Sequence, residues 1–165
     1  PALGFDEMRR RLVTRAVAET RDSLKAVNPQ MDLSAAVWGI FQNKLGWSGV
    51  TTGYESILQD ARAWDRLGIV DALVPMVYWP LADSYGGRLD FAWLADDHAN
   101  GVTRPLFVGM YVPGLDGEAL AQQVERARMA GAEGISVFSY SSLEQSNLWG
   151  QLRSWAFHWP AKRVP

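Results

Sequence analysis

The sequence has no cysteine and only two histidines, and these absences exclude several kinds of site. Without cysteine there is no disulfide framework, no thiolate metal site and no cysteine nucleophile. His98 and His158 do not have the spacing of a metal-binding pair, so we predict no metal centre. The chain also lacks a Gly-x-Gly-x-x-Gly turn, a Walker motif and a Gly-x-Ser-x-Gly elbow. We therefore expect no cofactor and disfavour a serine hydrolase.

Charge and hydropathy exclude two classes of partner. The formal net charge is only −2, which argues against a nucleic-acid partner held by its phosphates. No apolar run reaches the ~18 residues that a spanning helix needs, so no transmembrane segment is predicted. The chain begins Pro-Ala-Leu-Gly, with no initiator methionine and no signal-peptide pattern. We read it as a truncated or processed chain.

Helical and strand-like patterns alternate along the 165 residues. Apolar residues at helical spacing, with capping residues and glycine stops, predict helices over about residues 6–27, 52–66, 89–100, 116–129 and 141–157. Apolar runs predict strands over residues 33–40, 69–79, 105–112 and 134–140. These runs do not alternate strictly with polar residues, which is typical of parallel strands covered on both faces.

The spacing of the strands predicts half of a barrel. Their starts recur at intervals of roughly 30 to 36 residues, close to the ~31 residues of one unit in a (β/α)8 barrel. We therefore predict an α/β fold in which residues 1–165 form the C-terminal half of one TIM-barrel domain, with four parallel βα units. A four-stranded doubly wound sheet is the alternative. Because four strands leave two bare edges, we expect either a missing N-terminal half or self-association.

Aromatic residues stand at each predicted strand end. The first strand ends at Trp38, the second at Tyr78 and Trp79, the third at Tyr111, and the fourth at Tyr140. Active sites of β/α barrels lie at the carboxyl ends of the strands. Rings with a polar tip stack on sugar faces and also form hydrogen bonds, so we predict that these five residues bind a saccharide. The alternative is that they cap the barrel core.

Glycoside hydrolysis requires two carboxylates that flank the scissile bond. Glu55 and Glu144 occupy capping-box positions and Asp116 an N-cap position, which explains them without catalysis. Only Asp83, in the loop after the second strand, lacks a local role, and it is the catalytic candidate within this chain. Asp60 lies beside an apolar helical stripe, and we expect it to be buried and paired with an arginine.

A glycine-containing turn precedes the fourth predicted helix. Residues 112–117 read Val-Pro-Gly-Leu-Asp-Gly and lead into a helix N-terminus, where an anion is readily bound. An enzyme acting on a phosphorylated metabolite is therefore a further alternative, although an ordinary capped turn explains the pattern as well.

The motifs resemble those of a bacterial family of glycosyl-hydrolase-like proteins, named as family-ten-like and distantly related to true xylanases. The resemblance extends from about Met8 to Leu143. The segments that carry it are Ser34–Ile40, Gln59–Trp64, Gly68–Trp79, Val108–Tyr111 and Gly134–Leu143.

The resemblance implies a (β/α)8 barrel, an extracytoplasmic location (periplasmic, cell-surface or secreted) and, for some members, cleavage of peptidoglycan glycan strands that lack stem peptides. It also implies that the main catalytic carboxylates lie in an Asp-rich stretch upstream of Pro1. Where members usually carry glutamine before Tyr78-Trp79, this chain has Met76-Val77. We predict a glycoside hydrolase acting on a polysaccharide. A carbohydrate-binding barrel without catalysis is the alternative.

Overall fold

Four short strands form one parallel sheet in a computed structural model, which describes residues 4–83 and 86–158. The strands are β1 (Ser34–Trp38), β2 (Ala72–Met76), β3 (Phe107–Tyr111) and β4 (Gly134–Phe138). They lie side by side in chain order, and every pairing is parallel. A doubly wound sheet reverses its strand order at a switch point, whereas this order never reverses. The arrangement is therefore that of half a (β/α)8 barrel, as predicted.

Helices precede and connect the strands, and each predicted helical region contains at least one. They are α1 (Phe5–Val27), α2 (Ala61–Arg66), α3 (Phe91–Ala99), α4 (Gly117–Met129), α5 (Tyr140–Gln145) and α6 (Trp149–Gln151), which continues into a π-helical turn at Leu152–Ala156. Among the described residues, no helix combines the length and the apolar character needed to cross a membrane.

Capping residues set the ends of two helices as predicted. The carboxylate of Asp90 accepts a hydrogen bond from the backbone N–H of Trp93 at 2.8 Å, and α3 begins at the next residue. Asp116 accepts in the same way from Ala119 at 2.8 Å, at the start of α4. Each bond satisfies an N–H group that has no partner within the first turn of the helix.

The predicted helix over residues 52–66 is wrong in its first half. The Thr52–Glu55 contact forms, with Thr52 Oγ1 donating to the Glu55 carboxylate at 2.5 Å, but the residues around it form a turn. The backbone N–H groups of Gly53 and Tyr54 donate to the carbonyl groups of Ile40 and Phe41, in the loop after β1. Leu58 then adopts a left-handed backbone conformation with a φ of 67°, which a right-handed helix cannot contain, so the helix begins only at Ala61.

Asp60 is the N-cap of α2, where its carboxylate accepts from the N–H of Ala63 at 3.0 Å. The expectation of a buried Asp60 paired with an arginine was therefore wrong. The buried carboxylate of this helix is Asp65, which accepts from the backbone N–H groups of Thr103 and Arg104. This ties α2 to the segment that leads into β3.

The last helical region also differs from its prediction. Its cap is Ser139, whose hydroxyl accepts from the N–H of Ser142 at 3.4 Å, two residues before the predicted start of the helix at residue 141. The helix therefore starts at Tyr140, directly after β4, and the region divides into α5, α6 and the π-helical turn.

The two faces of the sheet differ in their covering. Alternate residues such as Leu73, Val108 and Met110 are completely buried beneath the helices. On the opposite face, Ala36 and Ser136 are exposed, and no described element covers them. In a closed barrel that face is the interior. The described residues thus form one wall of a barrel, whose inner surface lies open.

Side-chain size varies along the open face. Phe107 pairs in register with Gly134, and a Cβ atom on Gly134 would lie 2.8 Å from the Phe107 ring. The ring of β3 therefore lies over the bare backbone of β4. Gly109, two residues after Phe107 on β3, has so little room that an added Cβ would lie 2.7 Å from the Pro75 carbonyl oxygen.

Candidate functional site

Three aromatic rings cluster at the carboxyl ends of β2, β3 and β4, on the open face of the sheet. We call Tyr78, Tyr111 and Phe138 the aromatic rim. The Tyr78 centroid lies 5.6 Å from that of Tyr111 and 5.9 Å from that of Phe138. Tyr111 and Phe138 are stacked, with centroids 6.2 Å apart. The strand register causes this arrangement, because Tyr111 pairs with Phe138, and Met76, two residues before Tyr78, pairs with Gly109.

The aromatic rim is exposed. The relative exposure is 36% for Tyr78, 43% for Tyr111 and 54% for Phe138. The rings lie at the carboxyl ends of the strands, which form the mouth of a β/α barrel. Partial burial raises the pKa of Tyr78 above its ordinary value, so its hydroxyl stays protonated and is available as a hydrogen-bond donor at neutral pH.

Trp38 lies on the same face of the sheet, since it pairs in register with Met76. Its indole N–H donates to the carbonyl group of Thr51 at 2.7 Å, and its backbone N–H donates to the side chain of Gln59 at 2.9 Å. The ring is therefore held firmly, and its indole donor is already in use. What Trp38 offers to a ligand is its ring surface.

Trp79 packs against the end of β1. A Cβ atom on Gly39 would lie 2.9 Å from Trp79 Cζ3, so the absence of a side chain at Gly39 makes room for the indole ring. Trp79 also lines a cleft of ≈ 190 Å³ together with Tyr78 and Tyr111. The structure thus brings three of the predicted saccharide-binding residues to one cleft, which we call the rim cleft.

Tyr140 is placed elsewhere. Its ring lies against Trp149, with centroids 5.3 Å apart, and its hydroxyl donates to Glu144 at 3.2 Å. It lines a separate cavity of ≈ 460 Å³ with Ile135 and Val137, which lie on the helix-covered side of β4. The helix starts at Tyr140, and this turns the side chain away from the open face. A saccharide contact for Tyr140 stays a prediction.

The carboxylates considered as catalytic candidates have local partners. Asp83 accepts a hydrogen bond from the backbone N–H of Arg88 at 2.8 Å, which closes the loop after β2. Glu55 binds Thr52 and Gln42, and Glu144 accepts from Tyr140. A catalytic role for Asp83 stays a prediction. Within residues 4–83 and 86–158, no cluster of three acidic or histidine side chains is suited to a metal ion.

A buried histidine holds the end of β1 in place. His98 on α3 is only 2% exposed, and its Nε2 lies 2.9 Å from the carbonyl oxygen of Gly39. Burial lowers the pKa of His98 to about 4, so the ring is neutral at neutral pH. Because a carbonyl oxygen only accepts, Nε2 carries the proton of this neutral ring and donates it. His98 thereby ties α3 to the residue that follows Trp38.

Two residues of the site were missed in the sequence. Phe138 is the last residue of β4 and stacks on Tyr111, its partner in the parallel register. Pairing the ends of the predicted parallel strands would have found it. Gln123 lines the rim cleft from α4. Its signal is its position on the buried stripe of that helix, whose other members are the apolar residues Leu120, Val124 and Ala127.

Comparison with known proteins gives similarity to glycosyl hydrolases. A family model described as glycosyl hydrolase-like 10 matches residues 3–127. Proteins named glycosyl hydrolase DigH from Escherichia coli O6:H1 and Escherichia coli K12 are each 25% identical to the chain over 113 residues. The aligned region covers 64% of this chain and 24% of each relative, so the chain spans about a quarter of their length.

Proposed function

Because the chain belongs to the glycosyl hydrolase-like 10 family, we propose that the protein is a glycoside hydrolase and that its aromatic rim binds the sugar. The observation that carries this proposal is the cluster of Tyr78, Tyr111 and Phe138 at the carboxyl ends of parallel strands. That end of a β/α barrel is where substrates bind. The family membership and the position of the rim support the same function.

The chemistry of the rim suits a saccharide. A pyranose ring has flat C–H faces that pack on aromatic rings, and hydroxyl groups around its edge that need hydrogen-bond partners. The rim offers both, because Tyr78 and Tyr111 combine an exposed ring with a phenolic hydroxyl. Trp38 adds a fixed ring surface on the same face of the sheet.

The hydrolysis itself needs a general acid and a second carboxylate. Glu55, Asp83, Asp116 and Glu144 are all engaged in local hydrogen bonds. The main catalytic carboxylates of this proposal therefore lie on the barrel wall that faces this sheet, and Asp83 is kept as the candidate within this chain. The substrate we propose is a bacterial cell-wall glycan, and the location is extracytoplasmic. Both follow from the family resemblance.

Replacing Tyr111 by alanine tests the proposal. We expect kcat/KM for hydrolysis of peptidoglycan glycan strands by the intact protein to fall at least tenfold, which corresponds to about 1.4 kcal/mol. The reason is the loss of both the stacking ring and its hydroxyl. Release of reducing sugar ends measures the rate. Tyr111→Phe keeps the ring, so its kcat/KM should fall by a smaller factor.

Phe5→Ala is the matched control, since Phe5 is an exposed aromatic residue on α1, outside the rim. It should leave kcat/KM unchanged. An equal loss in Tyr111→Ala and Phe5→Ala, or no loss in either, would remove the rim from the substrate site.

Binding without cleavage is the second candidate, and the local engagement of all four carboxylates considered in this chain favours it. Saccharide affinity without any release of reducing ends would identify it.

A site for a phosphorylated metabolite is less well supported, because Asp116 already accepts from the N–H of Ala119 at the start of α4. That carboxylate occupies the position where an anion would bind.

A further inference from the structure

A glutamine lies where α4 should present an apolar residue to the core. The buried stripe of α4 consists of Leu120, Gln123, Val124 and Ala127. Gln123 is only 3% exposed, so its amide group is removed from solvent. A buried side-chain amide is expected to have partners for both its oxygen and its nitrogen, because an unpaired buried polar group is unfavourable.

Only the nitrogen end of this amide has a partner. Gln123 Nε2 donates to the backbone carbonyl oxygen of Trp79 at 3.3 Å. This contact fixes the orientation of the amide, since the reverse orientation would set two acceptor oxygens against each other. Gln123 Oε1 consequently points away from Trp79, and among the described residues no group donates to it.

The rim cleft is the space that Gln123 borders. The cleft has a volume of ≈ 190 Å³ and is walled by Tyr78, Trp79 and Tyr111, with Pro113, Gly114 and Leu115 on the loop after β3. Its walls are thus mainly aromatic and apolar. A buried acceptor among such walls, with the two tyrosine hydroxyl groups beside it, is the usual arrangement of a small-molecule site, in which few polar groups fix the orientation of the ligand.

We propose that the rim cleft is a sugar subsite in which Gln123 Oε1 accepts a hydrogen bond from a hydroxyl group of the bound saccharide. This inference rests on the proposed function and adds to it a residue that selects the sugar. The hydroxyl group supplies the donor that the buried oxygen lacks, while the aromatic walls contact the C–H faces of the ring. A saccharide with no donor at that position leaves the oxygen unpaired and binds more weakly.

Gln123→Met tests the subsite, because methionine has nearly the same length and shape but no hydrogen-bonding amide. We expect the Kd of the intact protein for a soluble oligosaccharide of alternating N-acetylglucosamine and N-acetylmuramic acid to rise about three- to tenfold. Isothermal titration calorimetry measures the Kd. The melting temperature should change little, because the variant removes an unpaired buried oxygen but also the donor to the Trp79 carbonyl group. Gln122→Met, the same change at the exposed neighbouring position, should alter neither quantity.

The outcomes separate this inference from the proposed function. Weaker binding at unchanged or higher stability supports the subsite. A lower melting temperature with unchanged affinity would show that Gln123 only holds the Trp79 carbonyl group, and it would overturn the subsite alone. If Tyr111→Ala weakens binding and Gln123→Met does not, the aromatic rim binds the sugar and the role of Gln123 is overturned. If the unmodified protein binds no saccharide, both the proposed function and the subsite are overturned.

Discussion

Gly39→Ala is expected to lower the free energy of unfolding by about 3 kcal/mol, at the upper end of the cost of overpacking a core. The added Cβ would lie 2.2 Å from the carbonyl oxygen of Met76 and 2.9 Å from the Trp79 ring. The Met76 oxygen belongs to the backbone of β2, which is paired with β1 at Trp38, so it cannot move without disturbing the sheet. Urea denaturation measures the loss.

Gly150→Ala is the control for that change. Nothing lies within 4 Å of a Cβ at Gly150, and the residue belongs to α6, where alanine is the better helix former. The urea concentration at the midpoint of its unfolding should equal that of the unmodified protein or be higher. Equal midpoints for Gly39→Ala and the unmodified protein would show that the end of β1 has more room than the structure gives it.

Acidification is expected to remove about 3 kcal/mol of stability through His98. Its pKa is about 4 in the folded protein and 6.5 as the ordinary value, a difference of about 2.5 units. Between these values the unfolded chain binds a proton that the folded protein does not bind. The contribution of His98 to the free energy of unfolding is therefore fully present above about pH 6.5 and is lost as the pH is lowered toward 4. Asp97 and Arg62 are the charged groups that act on His98, with opposite effects on its pKa.

His98→Gln tests this assignment, because glutamine keeps an N–H donor for the Gly39 carbonyl group and does not titrate. The variant should be less stable at pH 7 and should show a flatter dependence of unfolding free energy on pH between 6.5 and 4. Chemical denaturation at a series of pH values provides both curves. Parallel curves for the two proteins would mean that another group carries the dependence.

The Asp71 carboxylate, whose pKa is lowered by the Leu33 backbone N–H, loses its contribution only below its ordinary value of 3.8.

The sheet was predictable because its strands are short apolar runs with regular spacing. All four lie within their predicted ranges, although each is shorter than its run. The error at residues 52–60 has a different origin. The capping contact between Thr52 and Glu55 is local and does form, but Leu58 adopts a left-handed backbone conformation with a φ of 67°. This conformation is uncommon for a residue other than glycine, and the spacing of apolar residues does not reveal it.

The site was predictable to the extent that it follows the strand ends. Tyr78, Trp79 and Tyr111 meet at one cleft because parallel strands end at the same edge of the sheet. Tyr140 does not join them, since the helix that begins at this residue changes the direction of its side chain. Gln123 comes from a helix, and only the register of α4 against the sheet brings it to the cleft.

The uneven inner surface of the sheet constrains whatever packs opposite it. Phe107 rises from β3 and lies over Gly134, while exposed Ser136 gives β4 little height of its own. A facing wall must therefore leave space for the Phe107 ring and present larger side chains to the shallow level formed by the partners Gly109 and Ser136, since protein interiors are filled without large gaps. The levels of the two walls would then have to match, and the strand ends of both would surround the same mouth of the barrel as the aromatic rim.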